Sequence, residues 1–375
     1  MMATVLFLLG AAFVLYVLFG YPLLLAIRAR LFAKPVQKRP QEKTVSIILP
    51  VRNGEPWIRA KLRSILDLQY PRELLQILVV SDGSTDATEN IVNELQAEGV
   101  ELIRLAAGGK AAALNAGMER ATGEILFFTD VRQPLDPSSL RDLVSCFADP
   151  EVGAVSGKLI IADSENREQD LSGIYWRYEK WIRRRLSRID SVTGSTGCIH
   201  AIRRSLARPL PPDILLDDVY VPLSAFFSGY RVVWESKAKA FDVPASLRIE
   251  FRRKLRTQAG LYQLLGVYPQ LLSRRNRMWF DFASHKLARL LLPYALLVIA
   301  VTSLGLPGQW ASLAVATQVI FYGLAVADLV IPATSRLKRI SSPARAFVVM
   351  MAAVLCAASI LFVPATSFWK QGEKR

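Results

Sequence analysis

Three carboxylate-bearing stretches have the residue types and spacing to do chemistry. The apolar run Ile77-Leu78-Val79-Val80 ends on Ser81-Asp82-Gly83-Ser84-Thr85-Asp86, and Glu124-Ile125-Leu126-Phe127-Phe128 ends on Thr129-Asp130. Both runs are too short for helices and are bounded by polar residues or glycine, which favours buried, parallel β-strands. Ligands of open α/β sheets bind outside the carboxyl ends of the strands. Two Asp residues delivered to that edge suit a metal ion and a nucleotide diphosphate. Taken singly, each Asp reads more readily as a helix cap, but the pair within one repeating strand–helix pattern favours the ligand site. The third stretch, Asp213 to Pro222 (DILLDDVYVP), sets Asp217 beside Asp218. Neighbouring carboxylates repel, which raises one pKa toward the value a general base needs. Adjacent acids are also common on solvated surfaces; here the apolar flanks Ile214, Leu215, Leu216, Val219 and Val221 argue against a simple exposed loop.

The elements that must position these groups follow from periodicity. Val45 to Pro50 (VSIILP) reads as a first strand, and Trp57 to Leu68 carries a helical apolar stripe. Ile77 to Ser81 is the second strand, with Asp86 as N-cap of a helix over Ala87 to Gln96. Glu101 to Leu105 is a third strand, and Gly108-Gly109-Lys110 leads into a helix over Ala111 to Arg120. This alternation predicts an α/β fold with a doubly wound parallel sheet. No GxGxxG follows the first strand and no Walker A sequence is present, so dinucleotide and P-loop readings lose their support. Val152 to Ile161, Arg231 to Trp234 and Ala240 to Val243 read as further strands. Ser191 to Gly197 (SVTGSTG) is a turn-rich loop through which backbone can approach a ligand. Tyr175 to Arg188, rich in aromatic and basic residues, reads either as a helix meeting the membrane interface or acceptor, or as a solvated basic face.

The 375 residues are 52% apolar yet carry a formal charge of +15. The two facts coexist because Lys and Arg crowd beside long apolar runs at the two ends. That placement fits anionic lipid headgroups and anionic substrates, and not nucleic acid. Cys146, Cys198 and Cys356 show no metal or disulfide spacing and suit a reducing, cytosolic setting. With His200 and His285 as the only histidines, the sequence argues against a histidine-based metal site.

Ala3 to Ile27 is long enough for a membrane helix at ~20 residues per span. It lacks a basic leader and a small-residue cleavage site, and so reads as an anchor. Arg28, Arg30, Lys34, Lys38, Arg39 and Lys43 follow it, which places the next domain in the cytoplasm. Arg248 to Arg277 is basic and aliphatic and suits helices lying in the interface plane. Leu287 to Leu304, Ala311 to Ile331 and Ala346 to Phe362 are further membrane-length runs, with Asp328 the one clear intramembrane charge or an interfacial one. Four spans put the tail Lys370, Lys374 and Arg375 outside, against the positive-inside rule. The expected organisation is an anchor at 1–28, an α/β domain at 44–245, basic interface helices at 246–284 and membrane helices at 285–368.

Five stretches in order, VSIILPVRNGEPWI, ILVVSDGSTDAT, GGKAAALNAGMERATGEILFFTD, ILLDDVYVP and RRKLRTQAG, resemble the membrane-bound inverting glycosyltransferases of family 2. That group contains cellulose, chitin and hyaluronan synthases and many exopolysaccharide enzymes. The resemblance runs from about Thr44 to about Gly260. It implies a GT-A type, Rossmann-like doubly wound domain in the cytosol, flanked by one N-terminal and about three C-terminal transmembrane helices. The expected protein is multi-pass in the cell's inner (plasma) membrane. By the resemblance, Pro50, Arg52, Asn53, Glu55 and Asp82 form the nucleotide-base pocket. Lys110 is the basic residue near uracil and diphosphate, and Asp130 meets the ribose and a divalent cation, Mg²⁺ or Mn²⁺. Asp218 is the catalytic base and Asp217 its acidic neighbour, while Arg253 and Arg256 stand in the place of the family's QxxRW. The implied partners are a nucleotide-sugar donor, a lipid-linked or polysaccharide acceptor, membrane lipids and other envelope-glycan enzymes, with no nucleic acid.

The chain departs from the pattern twice. The second Asp of the family's DxD is Arg132, so that a cation has Asp130, diphosphate oxygens, and Gln133 or Asp136 to lean on; a guanidinium here also pairs with phosphate. QxxRW keeps Arg256 but lacks its Gln and Trp, which leaves processive polymerisation less supported than transfer itself. The alternatives are a single-transfer enzyme acting on polyprenyl phosphate or a lipid-linked oligosaccharide, and a non-catalytic synthase subunit.

Overall fold

The structure, a computed structural model, describes residues 1–161, 173–243, 247–332, 334–365 and 367–368. The side chains of Tyr175, Trp176 and Arg248, residues 244–246 at the expected domain boundary, and the tail residues Lys370, Lys374 and Arg375 lie outside the described residues. The chain forms two compact units, one of residues 31–172 and 183–244, the other of residues 1–30, 173–182 and 245–375.

The first unit is built on a seven-stranded sheet: β1 Val45–Val51, β2 Leu75–Asp82, β3 Val100–Leu105, β4 Ile125–Phe128, β5 Val152–Ile161, β6 His200–Arg203 and β7 Arg231–Asp242, in the order β3-β2-β1-β4-β6-β5-β7. Every residue of β1 is buried, Ser46 included, as a strand in the middle of a parallel sheet requires. β1 pairs in parallel with β2 (Val45 opposite Leu75) and with β4 (Val45 opposite Ile125), so strand order reverses at β1. That reversal opens a crevice at the carboxyl ends of β1 and β4, the usual ligand position in such sheets.

The sheet is mixed, not all-parallel as the sequence predicts. β6 runs antiparallel to both β4 and β5. Its run His200-Ala201-Ile202-Arg203 is four residues long and offers no alternation to detect. The two strands expected at Arg231–Trp234 and Ala240–Val243 are one strand, β7, whose pairing with β5 is irregular between Ser156 and Lys158. On one face, Ile58, Leu62 and Ile65 of the helix Glu55–Leu66 and Leu140, Leu143 and Val144 of the helix Ser139–Ser145 pack on Ile47, Leu49, Ile77 and Phe127. The basic segment after the anchor is partly tied to this unit. Lys38 pairs with the buried Glu235, and the Arg231 guanidinium donates to the Lys34 carbonyl (2.7 Å).

The second unit contains four helices long and apolar enough to cross a membrane: Met2–Leu31, Trp279–Ser303, Gln309–Ala327 and Lys338–Leu361. The first of the three C-terminal spans begins earlier than the run from Leu287 predicts, and it therefore includes Asp281, His285 and Lys286. Asp328 in turn lies past the end of Gln309–Ala327. There its buried carboxylate accepts from Ser341 (2.6 Å) and Ser342 (3.0 Å) and pairs with Lys338 (3.1 Å) and Arg345 (3.2 Å). A fully compensated carboxylate of this kind joins two helices and marks no pathway.

The charge expected at Asp328 sits instead at Asp281, which accepts from Arg28 (2.7 Å) and from the Tyr21 hydroxyl (3.3 Å). Two wide π-helical turns interrupt these spans, at Tyr16–Gly20 and at Ala283–Leu287. They are linked by a hydrogen bond between the Tyr16 and Ser284 hydroxyls (2.6 Å).

Candidate active site

Four strand ends converge at the crevice. β1 runs into Pro50, which is buried, then Arg52, which is exposed, and Asn53, whose φ of +50° turns the chain sharply. The Asn53 side-chain oxygen accepts from the Thr85 N–H (2.8 Å). Glu55 accepts from the Ala87 N–H (3.1 Å), and its own N–H donates to Asp86 (3.0 Å). Asn53 and Glu55 thus bind the loop after β1 to the loop after β2. Asp86 also accepts from the Thr88 N–H (3.1 Å), but the helix begins at Thr88 with Ala87 at its N-cap and no side-chain cap bond, so Asp86 braces the preceding turn and does not cap the helix as the sequence predicts.

Asp82, buried at the end of β2, accepts from the N–H of Gly108 (2.6 Å) and from that of Gly109 (3.0 Å to each oxygen). Gly109 has φ +87°, a conformation that favours glycine, and the helix Lys110–Arg120 starts directly after it. Asp82 therefore fixes the turn that presents Lys110. The Lys110 ammonium lies 3.0 Å from Asp130 Oδ1 and 3.0 Å from Asp217 Oδ2. Burial alone would lower its pKa, but the Asp130 and Asp217 carboxylates outweigh that and hold it above the ordinary lysine value.

Asp217 and Asp218 occupy the first turn of the helix Asp217–Phe227, where the helix end favours negative charge. Burial, followed by the Asp217 carboxylate, pushes the Asp218 carboxyl up to about 6, while Lys110 and Arg183 act against the rise. A group at that value is poised to exchange a proton near neutral pH.

The loop Ser191 to Gly197 closes the site. The Ser195 N–H donates to the Asp218 carbonyl (2.8 Å). A Cβ at Gly197 would stand 3.3 Å from Asp218 Oδ2 and 3.7 Å from Asp130 Oδ2, so this glycine lies between the two acids. Gly197→Ala is expected to lower kcat/KM about tenfold by displacing Asp218. Steady-state kinetics beside a thermal melt check this: a melt within 2–3 °C of wild type with unchanged kinetics removes the loop from the site.

Three further groups surround the cluster without a sequence signal of their own. Arg183 donates to Thr196 Oγ1 (3.1 Å). His200 stacks on Phe128 (5.0 Å between ring centres), and burial lowers its pKa to about 4, so it is neutral at pH 7. Lys61 is buried beneath the turn that carries Asp130. Arg132 is half-buried beyond Asp130, and Arg253 and Arg256 lie on the helix Leu247–Val267 of the other unit.

Among the described residues no three His, Cys, Asp or Glu side chains converge as a metal site. Of the two helpers the sequence offers to a cation, Asp136 is committed elsewhere, accepting from the Ser138 N–H (3.0 Å) and hydroxyl (2.9 Å). The Gln133 amide nitrogen donates to Asp242 (2.8 Å), while its oxygen is buried without a hydrogen-bond partner. Asp130 is the carboxylate that remains. Mg²⁺ is commonly held through one or two carboxylates plus substrate phosphates. Asp130 thus fits a divalent cation that arrives with a diphosphate, and the protein alone does not supply a cage.

The profile described as Glycosyl transferase family 2 matches residues 46–210. The chain is similar to the probable glycosyltransferase YdaM of Bacillus subtilis (strain 168), with 27% identity over 261 residues, 63% of this chain and 60% of that protein. It is similar also to a poly-beta-1,6-N-acetyl-D-glucosamine synthase of Staphylococcus epidermidis, with 24% identity over 233 residues, 60% of this chain and 56% of that protein. The matches thus span about 60% and 56% of those relatives' own lengths. Among solved structures, the mannosyltransferase PcManGT from Pyrobaculum calidifontis, in complex with GDP-Man and Mn²⁺, shares the fold with a TM-score of 0.73 and 24% identity, covering 95% of this chain and 99% of that one. The strand ends that carry Asp82, Lys110 and Asp130 all fall within the matched residues, and residues 46–210 are a glycosyl transferase family 2 domain.

Proposed function

We propose that the protein is a membrane-bound inverting glycosyltransferase. It moves a sugar from a nucleotide donor, taken to be a UDP-sugar, to a polysaccharide or lipid-linked acceptor in envelope-glycan synthesis. The observation that carries this reading is the cluster at the crevice: the Lys110 ammonium held between Asp130 and Asp217, with Asp218 beside them near pKa 6. The apolar helices anchor it in the inner membrane with the α/β unit in the cytoplasm.

Each group has a task. Pro50, Arg52, Asn53, Glu55 and Asp82 shape the pocket for the base, Asp82 through the Gly108–Gly109 turn. Asp130 meets the ribose and holds a divalent cation, which supplies charge neutralisation at the diphosphate when bound. Lys110 and Arg132 stabilise negative charge on the leaving diphosphate. Asp218 takes the proton of the acceptor hydroxyl as its oxygen bonds to the anomeric carbon from the face opposite the diphosphate. The bond from that carbon to the diphosphate oxygen breaks in the same displacement, which inverts the centre. Asp217 keeps the pKa of Asp218 high and fixes Lys110.

The test is nucleoside diphosphate release by the full chain in detergent. A panel of UDP-sugars and GDP-mannose is offered with membrane-lipid extract, with Mg²⁺ or Mn²⁺ or with chelator. One UDP-sugar is expected to support release, and chelator is expected to reduce it at least tenfold. Undiminished release in chelator removes the cation from the reading. Nucleotide binding without release from any donor, under every acceptor tried, favours the non-catalytic subunit.

A further inference from the structure

Lys61 is a fully buried lysine in the helix Glu55–Leu66, one residue before the core leucine Leu62. Its ammonium donates to Thr129 Oγ1 (2.6 Å) and to the Gln133 carbonyl (2.5 Å), the two ends of the turn Thr129–Gln133 that carries Asp130 and Arg132. Thr129 Oγ1 passes the link on to the Cys198 carbonyl (2.7 Å), next to Gly197. No carboxylate among the described residues lies within ion-pairing distance of Lys61. Burial lowers the Lys61 pKa to about 7. A buried amino group without a counter-ion costs stability whether charged or neutral, and this one spends its hydrogen bonds on the active-site turn and, through Thr129, on the strand end behind the Gly197 loop.

We infer that Lys61 is a positioning residue for donor binding. It clamps both ends of the Thr129–Gln133 turn, which sets Asp130 against Lys110 and aims Arg132 at the diphosphate. The proposal rests on the functional reading above, and it separates stability from function. An apolar side chain of similar length removes the desolvation cost and fills the same space, so the core tolerates it. The turn then loses both anchors.

The experiment compares wild type with Lys61→Met as full chains in detergent, by thermal melt, by UDP and GDP binding, and by separate kcat and KM for the donor. Lys61→Met is expected to melt at or above the wild-type temperature, to bind nucleotide about tenfold more weakly, and to raise donor KM by a similar factor. A merely structural lysine gives the opposite pattern, a lower melt with unchanged affinity, and that result overturns the proposal. So does a folded variant whose affinity lies within twofold of wild type. If Lys61→Met does not fold, Thr129→Val decides: it removes one of the two acceptors at constant shape. A loss of affinity of about threefold or more supports the clamp and an unchanged affinity rejects it. Wild type that binds neither nucleotide fails the functional reading itself, an outcome distinct from any failure of the clamp.

Discussion

Asp218→Asn lowers kcat by about 10³-fold, within the 10²–10⁴ that a positioned general base contributes, and leaves nucleotide affinity within a few-fold of wild type. Asn is isosteric and keeps the first turn of the helix Asp217–Phe227 intact, so the loss reports the proton acceptor and not the fold. The wild-type rate rises with pH through about 6 as Asp218 ionises and is flat above, and this limb is absent from the residual activity of the variant. Stability moves the other way. Burial raises the folded-state pKa of Asp218 above the unfolded value of 3.8, so its contribution is fully present at low pH and is lost as pH rises through about 6. At pH 8 the Asn variant is therefore expected to be more stable, by about 3 kcal/mol. Stopped-time product assays and melts at pH 5 and 8 read both effects. A variant that keeps a tenth of the turnover is incompatible with Asp218 as the base.

Lys110→Met is the second large effect. Charge-assisted hydrogen bonds are worth about 1.5–3 kcal/mol, so loss of this ammonium from the diphosphate is expected to raise donor KM by about 100-fold. The variant also leaves Asp130 and Asp217, each 3.0 Å from the missing ammonium, facing one another without a cation. Their repulsion acts while both are ionised, so the melting temperature falls most at neutral pH and recovers on acidification toward pH 4. An unchanged donor KM, or a melt deficit independent of pH, contradicts the bridging role.

The sequence made the strand ends legible because each is a local pattern: an apolar run, then an acid or a glycine. Asp82, Asp130 and the Lys110 helix start were visible in this way, and the acids Asp217 and Asp218 were marked by their adjacency. Lys61 was not visible, since a lysine beside an apolar helical stripe reads as solvated and only the packed sheet shows where its ammonium ends. Arg183 lay in a basic run whose members are alike in sequence, and Thr196 Oγ1 singles it out in space. β6 carries no signal because four residues, His200 to Arg203, are too few to show a period. The early start of the Trp279 span is hidden for a related reason: Asp281 and Lys286 interrupt its hydropathy, and the Arg28–Asp281 pair that makes the acid tolerable joins residues far apart in the chain.

The paired π-helical turns at Tyr16–Gly20 and Ala283–Leu287 give two helices of the second unit a shared phase. A wide turn holds one residue more than the regular spiral needs, and each residue advances a helix by about 100°. The extra residue in one span and its counterpart in the other rotate Tyr21, Arg28 and Asp281 into mutual reach. Such a pair of offsets is an insertion matched by an insertion. Either span can drift freely in side-chain identity on its exposed face, but neither can gain or lose a residue alone without parting the Asp281 carboxylate from Arg28 and Tyr21. Length, more than composition, is what the two spans hold in common.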